Sequence, residues 1–310
     1  MGARADRPVA AIDLGTNTAL LLVARRSADG RLDVLDDRSE TARLGEGLAR
    51  TGRLADAATE RTLAVLGRYV RRAAELGVAP SERRAVGTAV LRRAADAGRF
   101  VELARERLDL AVEVIGEEEE ARLGYAAVVA ESGAARATVD VGGGSTEWTA
   151  AGGTDRRSVP IGAVVLTERF LGAAGAPPVE DGGWSALSSA VRDACTAFPA
   201  GTAEGGEVVL LGGSAANLAS LVRGGERFDH ETVEGTVLGA GAAERWAERL
   251  VALPVDARRA LPIEADRAGI LPAGLACLAG ALARLGAATA RVTTRGLRYG
   301  VARELLARIA

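Results

Sequence analysis

The chain has 310 residues, room for two domains of ordinary size, and its 48% hydrophobic and 26% charged residues are those of a globular protein. A net charge of −2 excludes a global basic field, so an anionic substrate has to be held by a local site. Aromatics at 3% leave few stacking platforms, which argues against single-stranded nucleic acid as a ligand.

Every basic side chain is Arg, as a GC-rich genome would produce, and the absence of Lys excludes a Walker A loop. His230 is the one histidine, so zinc sites built on several His are excluded. A Ser-His-Asp triad would need His230, whose neighbourhood reads as a surface turn with no Gly-x-Ser-x-Gly elbow in the chain. Cys195 and Cys277 sit in apolar helical patterns and read as buried, reduced thiols. No long uninterrupted apolar run and no signal-peptide pattern is present, so a cytoplasmic location without membrane contact is expected.

In chain order, Val9 to Ile12 reads as a strand, then a tight turn at Asp13-Leu14-Gly15-Thr16-Asn17-Thr18, then a second strand from Leu20 to Ala24. Leu54 to Leu76 has the period of an amphipathic helix, with Leu63, Leu66, Val70 and Ala73 on one face. A short strand at Ala85-Val86, a helix from Asp96 to Leu108 and a strand from Ala111 to Ile115 follow. Glu117 to Glu120 opens a helix reaching Val129, where acidic residues suit the helix dipole. Arg136 to Val141 is a strand entering a glycine turn, and Thr146 to Ala150 returns from it. The segments Gly172 to Gly183 and Ala200 to Gly206 read as surface loops. Val208 to Leu211 is a strand before Gly212-Gly213-Ser214, with a helix from about Ala215 to Val222. Helices over Ala242 to Leu253 and Pro272 to Leu285, a strand over Val292 to Thr294 and a closing helix complete the chain. Alternating strands and helices predict an α/β protein. The turn at Asp13-x-Gly15 recurs at Asp140-x-Gly142, as if one architectural unit were used twice.

Three loops carry candidate chemistry. In Asp140 to Glu147, glycines Gly142, Gly143 and Gly144 let backbone N–H groups approach an anion, and Ser145 and Thr146 add hydroxyls. Asp140 and Glu147 would hold a divalent cation or orient a water. The first loop offers Gly15, Thr16, Asn17 and Thr18. The third, Gly212, Gly213 and Ser214, precedes a helix N-terminus suited to phosphate. Phosphate-anhydride hydrolysis also needs a carboxylate base of raised pKa, and Glu117, Glu118, Glu119 and Glu120 are all candidates that periodicity cannot separate. Arg92 supplies a fork suited to phosphate oxygens, unless it is one more surface cation.

These residues resemble the exopolyphosphatase/guanosine pentaphosphate phosphohydrolase (Ppx/GppA) family of the actin-like ATPase superfamily. The resemblance rests on Ala10 to Asn17, Arg43-Leu44-Gly45-Glu46-Gly47-Leu48, Thr51-Gly52-Arg53-Leu54, Thr88 to Arg92, Glu119-Glu120-Ala121-Arg122-Leu123, Asp140 to Glu147, Pro160-Ile161-Gly162-Ala163 and Leu166 to Phe170. It implies two ribonuclease-H-like domains flanking a cleft, expected at 1–123, with the 297–310 helix packing back on it, and at 124–296. It implies an acid-anhydride hydrolase that releases terminal orthophosphate from polyphosphate or pppGpp. Mg²⁺ is the expected cofactor, Mn²⁺ its alternative, and a homodimer the expected assembly. The resemblance places the general base on Glu120, with catalytic partners Asp140 and Glu147. Phosphate contacts fall on Gly15, Thr16, Asn17, Arg92, Gly142, Gly143, Gly144, Ser145, Gly212, Gly213 and Ser214. Metal ligands fall on Asp13, Asp140 and Glu147.

Some positions depart from the family's usual pattern. Leu20 stands where Arg or His is usual, so one cationic substrate contact is expected to be missing. Gly269 replaces the acid of Arg-Ala-Asp-Val, and Glu234 replaces the His of Val-His-Gly. Two other readings compete: an ATP-dependent phosphotransferase of the same superfamily, and a non-catalytic sensor of polyphosphate or pppGpp.

Overall fold

The computed structural model describes residues 7–27, 30–132, 135–153, 155–172, 181–203, 207–239 and 241–309. Strands β1 (Val9–Leu14), β2 (Thr18–Arg26) and β3 (Leu32–Thr41) lead into helices α1 (Leu48–Thr51) and α2 (Asp56–Glu75). Then come β4 (Arg83–Gly87), α3 (Ala89–Arg93), α4 (Ala97–Leu108), β5 (Val112–Val114) and α5 (Glu117–Ser132). Next are β6 (Ala137–Val141), β7 (Thr146–Ala150), β8 (Arg156–Val159), α6 (Ala163–Leu166) and α7 (Asp181–Cys195). They are followed by β9 (Val208–Leu211), α8 (Gly212–Arg223), α9 (His230–Val233), β10 (Val237–Gly239), α10 (Gly241–Val251) and α11 (Val255–Arg259). The chain closes with α12 (Leu271–Leu285), β11 (Thr289–Val292) and α13 (Leu297–Ile309).

The chain divides into two units, Met1–Ala127 with Leu297–Ala310, and Val128–Gly296. The first unit holds a sheet of order β3-β2-β1-β4-β5. In it β1, β2 and β3 form an antiparallel meander, and β4 and β5 run parallel to β1. Both faces of its centre are buried, because side chains alternate and helices cover each side. Ala10, Ile12, Leu14, Leu21 and Val23 pack with Leu63, Leu66 and Tyr69 of α2 and Phe100 of α4. Val9, Ala11, Leu22, Ala24 and Val86 pack with Leu123 of α5 and Leu297, Val301 and Leu305 of α13.

The second unit repeats that plan. Its sheet order is β10-β11-β9-β6-β7-β8, so β8-β7-β6-β9-β11 matches β3-β2-β1-β4-β5 strand for strand. The directions match as well: β6, β7 and β8 are an antiparallel meander, while β9 and β11 follow β6 in parallel. Val139, Val141, Trp148 and Leu210 face the core under α7, α8, α10 and α12. Val209 and Leu211 face the other side with Val128 and Ala135. This is an α/β protein of two ribonuclease-H-like domains of the actin-like ATPase type.

Several elements differ from the sequence reading. β3 was not anticipated, because Asp33, Asp36, Asp37, Arg38 and Glu40 mask an edge strand whose charged side chains stay accessible. The last strand lies at Thr289–Val292 and not Val292–Thr294, fixed by pairing Ala290 with Val208. Asp181–Gly183 form the first turn of α7 and not a loop. The rest of that expected loop, residues 173–180, lies outside the described residues, as do 204–206 of the other. Among the described residues no helix is long and apolar enough to cross a membrane.

Candidate active site

The two glycine turns are built alike. In each, the glycine after the strand donates its N–H back across the turn, Gly15 to the Thr18 carbonyl and Gly142 to the Ser145 carbonyl, both at 3.0 Å. In each, the segment after the third strand docks on the turn's carbonyls. Ala42 and Arg43 donate to the Asn17 carbonyl (3.0 and 2.8 Å) and Gly45 to the Thr16 carbonyl (2.9 Å). Ala163 donates to the Gly142 carbonyl (3.0 Å), and Val164 and Val165 to that of Gly143 (2.9 and 3.1 Å). In a trans peptide the N–H opposes the C=O, so tying these carbonyls down turns the N–H groups of Gly143 and Gly144 away from α6. Asn17 and Ser145 are both buried.

The two turns differ where it matters chemically. Asp13 lies opposite Leu20 on β2, whereas Asp140 lies opposite Glu147 on β7. Directly opposed residues project from the same face of the sheet. The second turn therefore carries a pair of carboxylates and the first carries one. Glu147 is 8% exposed and accepts a hydrogen bond from Ser158 Oγ at 3.2 Å. Asp13 has a protein cation nearby. Burial opposes the charge on Arg298, but Asp37 and, more weakly, Asp13 hold it protonated. That guanidinium forks onto Asp37 at 2.8 and 2.9 Å, beside the Tyr299 hydroxyl donating at 2.8 Å.

Among the described residues no group of three or more His, Cys, Asp or Glu is arranged to hold a metal. The Asp140–Glu147 pair nevertheless suits Mg²⁺ or Mn²⁺. Asp140 and Glu147, hard oxygen donors projecting from one face of the sheet, are the residues that would hold such a cation.

The third segment begins a helix three residues earlier than expected: Gly212, Gly213 and Ser214 are the first turn of α8, and Ala215 is already inside it. Gly212 takes φ +85°, and a Cβ there would stand 2.7 Å from Asp140 Oδ1 and 2.8 Å from the Val141 carbonyl. The glycine thus brings Asp140 against the N-terminus of α8. Gly212→Ala is expected to cost about 1–3 kcal/mol and to displace Asp140, read as a lower Tm together with lost activity. Ser214 is buried, and its Oγ lies against Gly274 of α12.

Sequence reasoning missed Arg267, whose guanidinium covers Gly213, at 2.0 Å from where a Cβ would be. Glu264 accepts from Arg267 Nε and from Asn217 Nδ2 (2.7 Å), and Asn217 also donates to the Gly213 carbonyl at 2.8 Å. Burial pushes Glu264 up, but Arg267 and Asn217 hold it below the usual carboxylate range. The three-residue spacing of Glu264 and Arg267 is readable in the sequence, but Asn217, which ties the pair to Gly213, stands 47 residues away and gives no local signal. Glu234, the departure from Val-His-Gly, is an organiser. Its carboxylate accepts from the Thr293 hydroxyl (2.7 Å), the Thr294 N–H (2.7 Å) and the Thr294 hydroxyl (2.8 Å), and so fixes the turn after β11. His230 starts the short helix α9, its ring edge-on to Phe228 at 4.8 Å.

In the first unit Arg92 is not a surface cation; its side chain is 18% exposed. Nη1 donates to the Ile115 carbonyl at 3.0 Å and to Glu120 Oε2 at 2.6 Å. Nη2 is buried without a hydrogen-bond partner. Glu120 is likewise 18% exposed, whereas Glu117 is 61% exposed. Burial pushes the Glu120 carboxyl above the usual range; Arg92 pulls it back and Glu117 adds to the rise. Of the acidic run, then, Glu120 is the member with the environment of a base.

A two-domain actin-like protein with a glycine turn on each domain, paired carboxylates on one and a buried Glu–Arg pair on the other defines a phosphate-handling class. A family model described as the Ppx/GppA phosphatase family matches residues 22–309. The crystal structure of the Aquifex aeolicus family member is 30% identical over 97% of this chain and 98% of that one, with a TM-score of 0.78. An exopolyphosphatase-like protein is 26% identical over 98% of each chain, with a TM-score of 0.86. An exopolyphosphatase from Cytophaga hutchinsonii, at 21% identity over 98% of this chain and 99% of that one, shares the fold with a TM-score of 0.83. The chain belongs to the Ppx/GppA phosphatase family.

Proposed function

We propose that the chain is a phosphoanhydride hydrolase that releases terminal orthophosphate from inorganic polyphosphate, pppGpp or both. The observation that carries this is the Glu120–Arg92 pair: a buried carboxyl of raised pKa beside a guanidinium whose buried Nη2 makes no hydrogen bond and has only the more distant Glu117 carboxylate, at 3.9 Å, near it. A carboxylate in that state accepts a proton from water, and the spare N–H suits a phosphate oxygen. Water loses its proton to Glu120, its oxygen bonds to the terminal phosphorus, and the P–O–P link breaks. The products are orthophosphate and a chain one phosphate shorter.

In the second unit, the N–H groups of Gly143, Gly144 and Ser145, with Gly212, Gly213 and Ser214 at the start of α8, bind phosphate; the Gly142 N–H, expected to join them, instead closes the turn on the Ser145 carbonyl. Thr16 and Asn17 do so in the first unit, where the Gly15 N–H closes the turn on the Thr18 carbonyl. Asp140 and Glu147 hold Mg²⁺ or Mn²⁺, which when bound offsets charge on the phosphate oxygens. Asp13, opposite Leu20 and near the charge of Arg298, is the weaker of the proposed metal ligands.

The test is a phosphate-release panel over short and long polyphosphate, pppGpp and ATP. Release from polyphosphate or pppGpp supports the proposal. Phosphate transfer from ATP to a small acceptor, without hydrolysis of either, would replace it with a phosphotransferase. Tight binding with no release in either cation would replace it with a sensor.

A further inference from the structure

Two arginines from one short stretch of chain take adjacent carboxylates at the start of α5. Arg84 lies two residues before Val86 on β4, so both project from the face covered by α5 and α13. Its side chain is only 9% exposed. Nε donates to Glu113 of β5 at 2.9 Å, Nη2 to Glu119 of α5 at 2.8 Å and Nη1 to Glu304 of α13 at 3.4 Å. A guanidinium on an otherwise apolar, covered face is costly unless paired, and these three carboxylates supply the pairing. Arg122, 3.7 Å from Glu119 and 3.1 Å from Glu304, and Arg308, on Glu304, balance the remaining charge.

The pairing has a geometric effect. Successive helical residues project about 100° apart, so Glu119 and Glu120 leave the helix in different directions. Arg84 holds the first and Arg92 the second. Two anchors at different angles fix the rotation of a helix about its axis, which one anchor does not. The height of α5 is set separately: a Cβ on Gly300 would lie 2.2 Å from the Leu123 carbonyl, so the backbone of α13 abuts α5.

We propose that Arg84 is a positioning residue for the base: by holding Glu119 it sets the rotation of α5 that delivers Glu120 to Arg92. The inference rests on Glu120 being the base, as proposed above.

The experiment compares Arg84→Met, Arg84→Lys, Glu119→Gln and Glu304→Gln with the wild-type full chain. Arg84→Met and Glu119→Gln should each lower kcat on the order of tenfold to a hundredfold, with KM within about twofold, because a small misplacement of a base costs that much. Arg84→Lys should recover part of the loss, since a point charge replaces one arm of the fork. Glu304→Gln leaves the Glu119 contact in place, so it should lower Tm while keeping kcat within about twofold.

Carbon-13 titration of the Glu120 carboxyl, assigned by its disappearance in Glu120→Gln, reads the position without turnover. The charged groups beside Glu120 are Arg92 and Glu117; those around Arg84 are Glu113, Glu119, Glu304, Arg122 and Arg308. Its midpoint should move away from the wild-type value in Arg84→Met and in Glu119→Gln, and the acid limb of kcat should move with it. The proposal is overturned if both variants lose Tm while kcat, acid limb and Glu120 titration stay as in wild type. Should Arg84→Met not fold, Glu119→Gln decides alone. If Glu120→Gln keeps full activity, the base reading fails, and an unmoved Glu120 titration in Glu119→Gln would then overturn the positioning role as well.

Discussion

Glu120→Gln is expected to lower kcat for phosphate release on the order of 10²- to 10⁴-fold, the range supplied by a positioned general base. The amide keeps the shape and still reaches Arg92, so folding should survive, and KM should change little. The pH profile checks the assignment independently. Burial holds the Glu120 carboxyl above the usual range, and the base works only when deprotonated. Activity should therefore fall, on acidification, at a pH above that of an ordinary glutamate. The sign for stability is opposite. A raised carboxyl pKa contributes stability below the unfolded-state value and loses it as pH rises through the folded value. Glu120→Gln should accordingly be as stable as wild type in acid and more stable than wild type near neutrality, read from Tm across pH. Equal rates for variant and wild type at every pH would remove Glu120 from the mechanism.

Asp140→Asn and Glu147→Gln should each cost on the order of a hundredfold in rate, and should raise the Mg²⁺ concentration needed for half-maximal activity. Each replaces one of two carboxylates on opposed strands by a neutral amide, a much poorer ligand for a hard cation. Direct Mn²⁺ binding, followed by calorimetry on unloaded protein, should weaken in parallel. Asp13→Asn is the internal comparison. Leu20 stands where Glu147 stands in the second turn, so Asp13 has no opposed carboxylate to chelate with. Its effect on Mn²⁺ affinity should be the smaller. An equal loss in all three variants would mean that the pairing of Asp140 with Glu147 is not what holds the metal.

Tyr69 shows how far local pattern carries a fold. The period predicts Leu63, Leu66, Val70 and Ala73 on the buried face; Tyr69 is not among them, yet it is fully buried against β2, its hydroxyl donating to the Ala19 carbonyl at 2.9 Å. β3 was not readable, because an edge strand needs only its backbone in register with β2, and its charged side chains carry no alternation. The same limit applies at the site. The glycine turns were legible, since an apolar strand running into Asp-x-Gly is a local signal. Arg84, Arg267 and Arg298 were not, because their meaning lies in partners distant in sequence: Glu304 for Arg84, the Gly213 turn for Arg267 and Asp37 for Arg298.

What the sequence determined by itself is the repeated unit. Strand, Asp-x-Gly turn and return strand are short-range consequences of apolar runs and glycine, and they recur at Asp13 and Asp140. Which acid of Glu117 to Glu120 meets the Arg92 guanidinium was decided only by tertiary structure. Adjacent glutamates on a helix are chemically alike, and they become different only when its rotation buries one in a hydrogen bond to Arg92, gives another to Arg84 and leaves Glu117 largely exposed, 3.9 Å from Arg92.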